Sequence, residues 1–207
     1  MDIENLNSSH WRTTRIEALA DAIFAIAMTL LVLELKIPDL PRNASTAEIL
    51  HGLGEHWTMF VAFFMTFFLA GTFWFMHHYS FHSLKAIDGG LSAINMMFLM
   101  FVSLLPFSTA MLGAFTLRQP VGLTFYFGNQ LALGVLLNLH WIYARRHKLL
   151  NDPNAAADPR RRVVAVQPVA CLLAMALIPY SPQSCFTTFA FTMVLGSAIV
   201  RRWSKRR

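Results

Sequence analysis

A chain of 207 residues is long enough for one domain or one membrane bundle. Hydrophobic residues make up 56% of it and charged residues only 14%, against about a quarter in soluble domains, which points to a membrane protein. The net charge of +6 sits at the ends of apolar runs and not on one face, which speaks against nucleic-acid binding. Two cysteines without metal-ligand spacing imply neither a disulfide scaffold nor a zinc site.

The first fourteen residues are polar, and the apolar run after them has no small-residue cleavage site, so it reads as a retained span. That span runs from about 16 to 37 and is ended by Pro38. Between Asp21 and Glu34 lie twelve uncharged residues, and Thr29 carries the only hydroxyl among them. Asp21 is expensive in lipid, so it must face protein or water and have a partner. It serves the pore, ties helices together, or does both. The second span covers about 57–79 and is rich in Phe, and the third covers about 91–116 after Gly89-Gly90. A fourth follows Pro120 over about 121–144, a fifth covers 163–180 and a sixth 183–202. The fifth is short and holds Gln167 and two prolines, Pro168 and Pro179. No internal repeat is visible. The expected fold is an all-α membrane protein of six transmembrane helices, with residues 1–207 forming a single domain.

Orientation follows from Lys and Arg. With the N-terminus inside, fourteen of them fall inside, and three, Lys36, Arg42 and Arg118, fall outside. Both termini are therefore expected in the cytoplasm of a plasma (inner) membrane protein, with loop 38–56 outside. Arg145, Arg146, Lys148 and the basic tail 201–207 read as anchors drawn to anionic headgroups. Glu34 and Lys36 are either a solvated helix end or part of an outer vestibule that gathers cations.

Helical neighbours recur every three to four residues. In the first span this gives a stripe of Ala22, Ile26, Thr29 and Leu33, and a rival stripe of Ile23, Ala27, Leu30 and Glu34. Both are apolar, and periodicity does not choose between them. His77, His78 and His82 cluster at the inner end of the second span, where a metalloenzyme would place ligands. The other histidines are scattered and no Asp or Glu pair completes a ligand set, so neither a metal, another cofactor nor an enzyme is expected. Asp21 is expected to be structural, held by Arg15, His77, His78 or Asn95. A His contact there makes the inner mouth sensitive to pH.

A further set of residues is specific: Arg15, Leu19-Ala20-Asp21, Thr29 and Pro38, then Trp74, His77 and His78, then Asn95 and Leu104-Leu105-Pro106-Phe107, then Asn129 and Gly134. Over roughly 12–145 the chain resembles the prokaryotic branch of the transmembrane protein 175 family, potassium channels that lack the Thr-Val-Gly-Tyr-Gly filter loop. Leu19 and Ala20 stand where the family has Phe and Ser, so a serine hydroxyl is missing. The resemblance implies that Ile26, Thr29 and Leu33 face a pore, with Ala22 on the same stripe. Four copies would give two tight apolar rings around a Thr ring. Longer family members carry two six-span repeats and pair as dimers, so a single repeat implies a homotetramer in membrane lipid. K+ is then the expected permeant ion. The rivals are a weakly selective cation or proton leak, and a small secondary transporter using Asp21 with His77 and His78. A transporter would be expected to show repeats around a midplane site, and this acid lies near one end.

Overall fold

The computed structural model of the protein describes residues 3–36, 39–41, 43–115, 119–151 and 165–204. Pro38, Arg42, Arg118, the Arg run 160–162 and the end of the basic tail lie outside the described residues. The regular elements are helical, apart from one isolated bridge between Leu84 and Leu150. Helix α1 covers Ile3–Leu30 and tightens into a 3-10 turn at Leu31–Glu34. After it come α2 (Thr46–Glu55), α3 (Trp57–His82), α4 (Gly89–Ser103) and α5 (Leu105–Phe115). The chain continues through α6 (Pro120–Arg146), α7 (Val166–Leu177) and α8 (Ser184–Ser204).

Among the described residues four stretches are long and apolar enough to cross a bilayer: Thr13–Glu34, Trp57–His82, Gly89–Phe115 and Pro120–Arg146. They coincide with the first four expected spans. The protein is an all-α, multi-pass membrane protein. The expected fifth span is realised as α7, whose 12 residues rise about 18 Å, less than the roughly 30 Å of a hydrocarbon core. In the sixth, the apolar stretch Ser184–Ala198 is also among the shorter helices.

Prolines set the helix ends. Pro106 has no N–H and its ring crowds the carbonyl four residues back, so the third span breaks between α4 and α5. At the break Leu104 N donates to Phe101 O at 3.3 Å, and Ser108 N restarts the ladder on Leu104 O at 2.9 Å. Pro120 occupies the first turn of α6, where its missing N–H costs nothing. At the other end of α6, Leu149 N donates to Ala144 O and Lys148 N to Arg145 O, and Lys148 takes φ 55°. This is a Schellman cap carrying a lysine where glycine is usual. Lys85 N donates to Leu149 O and Asn151 N to Ser83 O, so the C-terminal ends of α3 and α6 are clamped together.

Helix α6 contributes to each of three buried clusters. In one, Phe24 of α1 packs with Phe73 of α3, Phe98 and Val102 of α4, and Leu133 of α6. In another, Phe127 of α6 packs with Ala170, Cys171 and Ala174 of α7 and Phe189 of α8. The α7–α8 pair packs on α6, whereas α1 packs on α3, α4 and α5. Helices α3, α5 and α6 are tied by hydrogen bonds of the kind that hold membrane helices. Thr66 Oγ1 donates to Tyr126 Oη at 3.2 Å, and Asn129 Nδ2 to Ser108 Oγ at 3.1 Å.

Candidate functional site

Helix α1 is packed on one side by α3, α4 and α5. Ala20, Phe24, Ala27 and Leu31 are buried on that side. The opposite side is exposed through Ala22, Ala25, Ile26, Thr29, Val32 and Leu33, with Ile26 at 59% and Leu33 at 70%. The rival stripe is divided: Ala27 is 2% exposed, Ile23 and Glu34 are half-buried, and Leu30 is exposed. Ala22, Ile26, Thr29 and Leu33 therefore share one uncharged face that no described residue covers.

Thr29 has a further property. Its hydroxyl lies 2.9 Å from both Ala25 O and Ile26 O, so its single proton is turned into its own helix. What faces outward is oxygen lone pairs.

Below this face, two rungs join α1 to α3. Trp74 Nε1 donates to Asp21 Oδ1 at 2.8 Å, and His78 Nδ1 meets Glu17 Oε1 at 2.9 Å. Glu17 and Asp21 are four apart on α1, Trp74 and His78 four apart on α3, so antiparallel helices bring both pairs into register. The Trp74 and His78 rings stack with centroids 5.8 Å apart. His82, exposed, stacks on His78 in turn at 6.2 Å. Asp21 is therefore held by Trp74, and not by the Arg15, His77, His78 or Asn95 that the sequence offered. Arg15 is exposed and makes no ion pair with a described residue.

His77 faces the other way. It is buried, stacked on Phe98 at 5.3 Å and tilted against Phe24 at 6.2 Å and Phe81 at 4.4 Å. Its Nε2 lies 2.7 Å from Asn95 Oδ1, and since a carbonyl oxygen can only accept, the ring nitrogen donates. The other half of that amide, Asn95 Nδ2, is buried with no partner among the described residues. His77 and Asn95, both offered by the sequence as partners of Asp21, thus meet each other instead.

Glu17 escaped the sequence reading. Its signal was present in the matching i, i+4 spacing of Glu17 with Asp21 and of Trp74 with His78. Asn129 serves the bond to Ser108 described above, and Gly134 makes room for the Gln167 amide, which would collide with any Cβ there. Among the described residues no three His, Cys, Asp or Glu side chains are grouped to hold a metal ion.

The comparisons with known proteins bear on this arrangement. The family model described as "Endosomal/lysosomal potassium channel TMEM175" matches residues 15–106. A protein named as a potassium channel from Streptomyces collinus is 32% identical over 151 residues, which cover 71% of each chain. The bovine protein named endosomal/lysosomal proton channel TMEM175 is 33% identical over 111 residues, 51% of this chain and 23% of its own. The crystal structure of a lysosomal potassium-selective channel TMEM175 homolog from Chamaesiphon minutus superimposes with a TM-score of 0.71 at 29% identity. It covers 93% of this chain and 98% of its own.

Proposed function

This chain belongs to the TMEM175 family, and from that premise we propose that it is a potassium-permeable channel, a homotetramer whose four α1 helices surround one pore. The observation that carries this reading is the uncharged face of α1 from Ala22 to Leu33, left uncovered by the described residues although it lies on a membrane helix. One helix cannot enclose a pore, and closed fourfold symmetry supplies three more copies of that face. In this arrangement Ile26 and Leu33 form apolar rings that hold back water, since a narrow apolar constriction gates by dewetting. Thr29, between them, offers four oxygens whose protons are already engaged, so the ring presents partial negative charge to a passing cation.

The rungs to α3 are structural. A carboxylate bonded to an indole N–H is not free to bind and release a substrate, which speaks against a transporter built on Asp21. With an even number of crossings both termini lie on one side of the membrane, and the distribution of Lys and Arg makes that side the cytoplasm. The relatives carry both potassium-channel and proton-channel names, so protons are the second candidate permeant.

Flux decides it. The purified protein in liposomes loaded with K+ is expected to pass current that reverses near the K+ equilibrium potential and shifts little with a pH gradient. Reversal that follows the proton gradient assigns the proton reading, and no passive current in an assembled tetramer overturns the channel.

A further inference from the structure

Helix α2 has a face that nothing among the described residues covers. Its start is fixed locally: Glu48 N donates to Ser45 Oγ at 3.3 Å, and Ser45 N donates to Glu48 Oε2 at 2.7 Å, a complete capping box. The Ser45 backbone and hydroxyl also hold the Glu48 carboxyl below the usual carboxylate range. The capping box therefore fixes where the helix begins.

Its side chains divide into three sectors. Gly52 is the buried residue, and it marks the flank turned to the bundle, where α2 meets α3. Ile49, Leu50 and Leu53 lie together on a second sector, and Trp57 opens α3 just beyond the end of α2. Ile49 is 43% exposed, Leu50 65% and Trp57 57%. Glu48, His51 and Glu55 fill the third sector and are all exposed. The apolar sector is therefore not the packed one. That separation is what distinguishes a helix lying at an interface from one merely leaning on its own core.

Position supplies the occupant. Only His56 separates Glu55 from Trp57, the first residue of membrane helix α3. The end of α2 is thus fixed within a few ångströms of the point where α3 enters lipid. Trp57, amphipathic and exposed, is of the type that settles at headgroup depth.

We propose that α2 is an interfacial helix lying in the headgroup layer at the Trp57 end of the bundle. Ile49, Leu50 and Leu53 face the acyl boundary and His51 and Glu55 face water. Its partner is the lipid surface. Such helices sink about 5–10 Å into the boundary. Because α2 joins the outer end of α1 to α3, this contact anchors one end of the segment linking the pore helix to its neighbour. The inference rests on α3 crossing the bilayer and not on the channel reading, so depth and flux measurements fail separately.

The test is spin-label depth measurement in phosphatidylcholine–phosphatidylglycerol liposomes, on full-length protein carrying Cys171→Ala and Cys185→Ala. At Leu50→Cys, collisions with oxygen are expected to exceed those with a water-soluble nickel chelate several-fold, and at Glu55→Cys the order is expected to reverse. Ile49→Cys carries the same forecast as Leu50→Cys if that variant does not fold. The proposal is overturned if the chelate reaches Leu50 as freely as Glu55. It is also overturned if neither reagent reaches Leu50, which would assign the sector to a neighbouring copy.

Discussion

The two faces of α1 have the same spacing and nearly the same composition. Ala20, Phe24, Ala27 and Leu31 are separated by four, three and four residues, and so are Ala22, Ile26, Thr29 and Leu33, two positions further on. The first set is buried against α3, α4 and α5, and the second is left outside. What separates them is partnership. Phe24 packs against the rings of His77 and Phe98, at 6.2 and 6.0 Å, whereas Ile26 is left 59% exposed. A periodic apolar stripe on a membrane helix is therefore not yet a core. It becomes one only where the neighbouring helices bring side chains to it.

The largest expected effect separates the two faces directly. Phe24→Ala removes a fully buried ring from the contact between α1, α3 and α4, and large-to-small changes of this kind cost about 3–5 kcal/mol. Thermal unfolding in detergent should show that loss. Ile26→Ala, two residues away, should leave the melting temperature nearly unchanged and instead raise passive flux by widening an apolar ring. Equal destabilisation by the two substitutions would mean that both faces are core.

The next effect concerns what holds the packed face in place. Trp74→Phe keeps a ring to stack on His78 but removes the N–H that Asp21 accepts. The carboxylate is left without its donor near the bilayer, at a cost of about 1–3 kcal/mol. Lower yield of assembled protein on size-exclusion chromatography, with current per assembled channel unchanged, is the expected result. Normal assembly with altered current would move Asp21 from the scaffold to the pore.

Much of this was legible in the residues. The apolar runs give the first four crossing helices, because a bilayer demands about twenty such residues whatever their neighbours are. Pro106 and Pro120 mark a helix break and a helix start for local reasons. The partner of Asp21 was not legible. An acid in a span must pair, but Arg15, His77, His78, Asn95 and Trp74 all lie near enough in sequence terms. Only the rotation of α3 about its axis sends His77 inward to Asn95 and turns Trp74 and His78 towards α1. The choice between the two stripes of α1 escaped the sequence for the same reason, since both are apolar and only the packing of other helices distinguishes them.

A smaller effect sharpens the outward face. Thr29→Val keeps the shape and removes the oxygen, so assembly and stability should hold while the preference for K+ over Na+ falls. Bi-ionic reversal potentials measure this, with Ile23→Ala as the companion on the half-buried stripe. If Ile23→Ala alone changed the current, the pore face would be the rival stripe.

The smallest expected effect lies on the buried face, at Ala20. Phe24 of α1 packs on Phe98 of α4, and the two helices run in the same direction. One turn back along each stand Ala20 and Asn95, both buried. The Asn95 amide gives its oxygen to His77 and leaves its nitrogen buried without a partner among the described residues. The family resemblance puts a serine at position 20, so a hydroxyl restored there is the natural candidate to meet that nitrogen. Ala20→Ser adds one oxygen to a fully buried position and offers it to Asn95 Nδ2. A satisfied hydrogen bond contributes about 1 kcal/mol, so a modest rise in melting temperature is expected without any change in current. Asn95→Leu in the Ala20→Ser background should cancel the gain, because the donor is gone. If Ala20→Ser lowered stability whether or not Asn95 was present, the hydroxyl would be meeting no partner, and the inner end of α1 would be packed around alanine for its size alone.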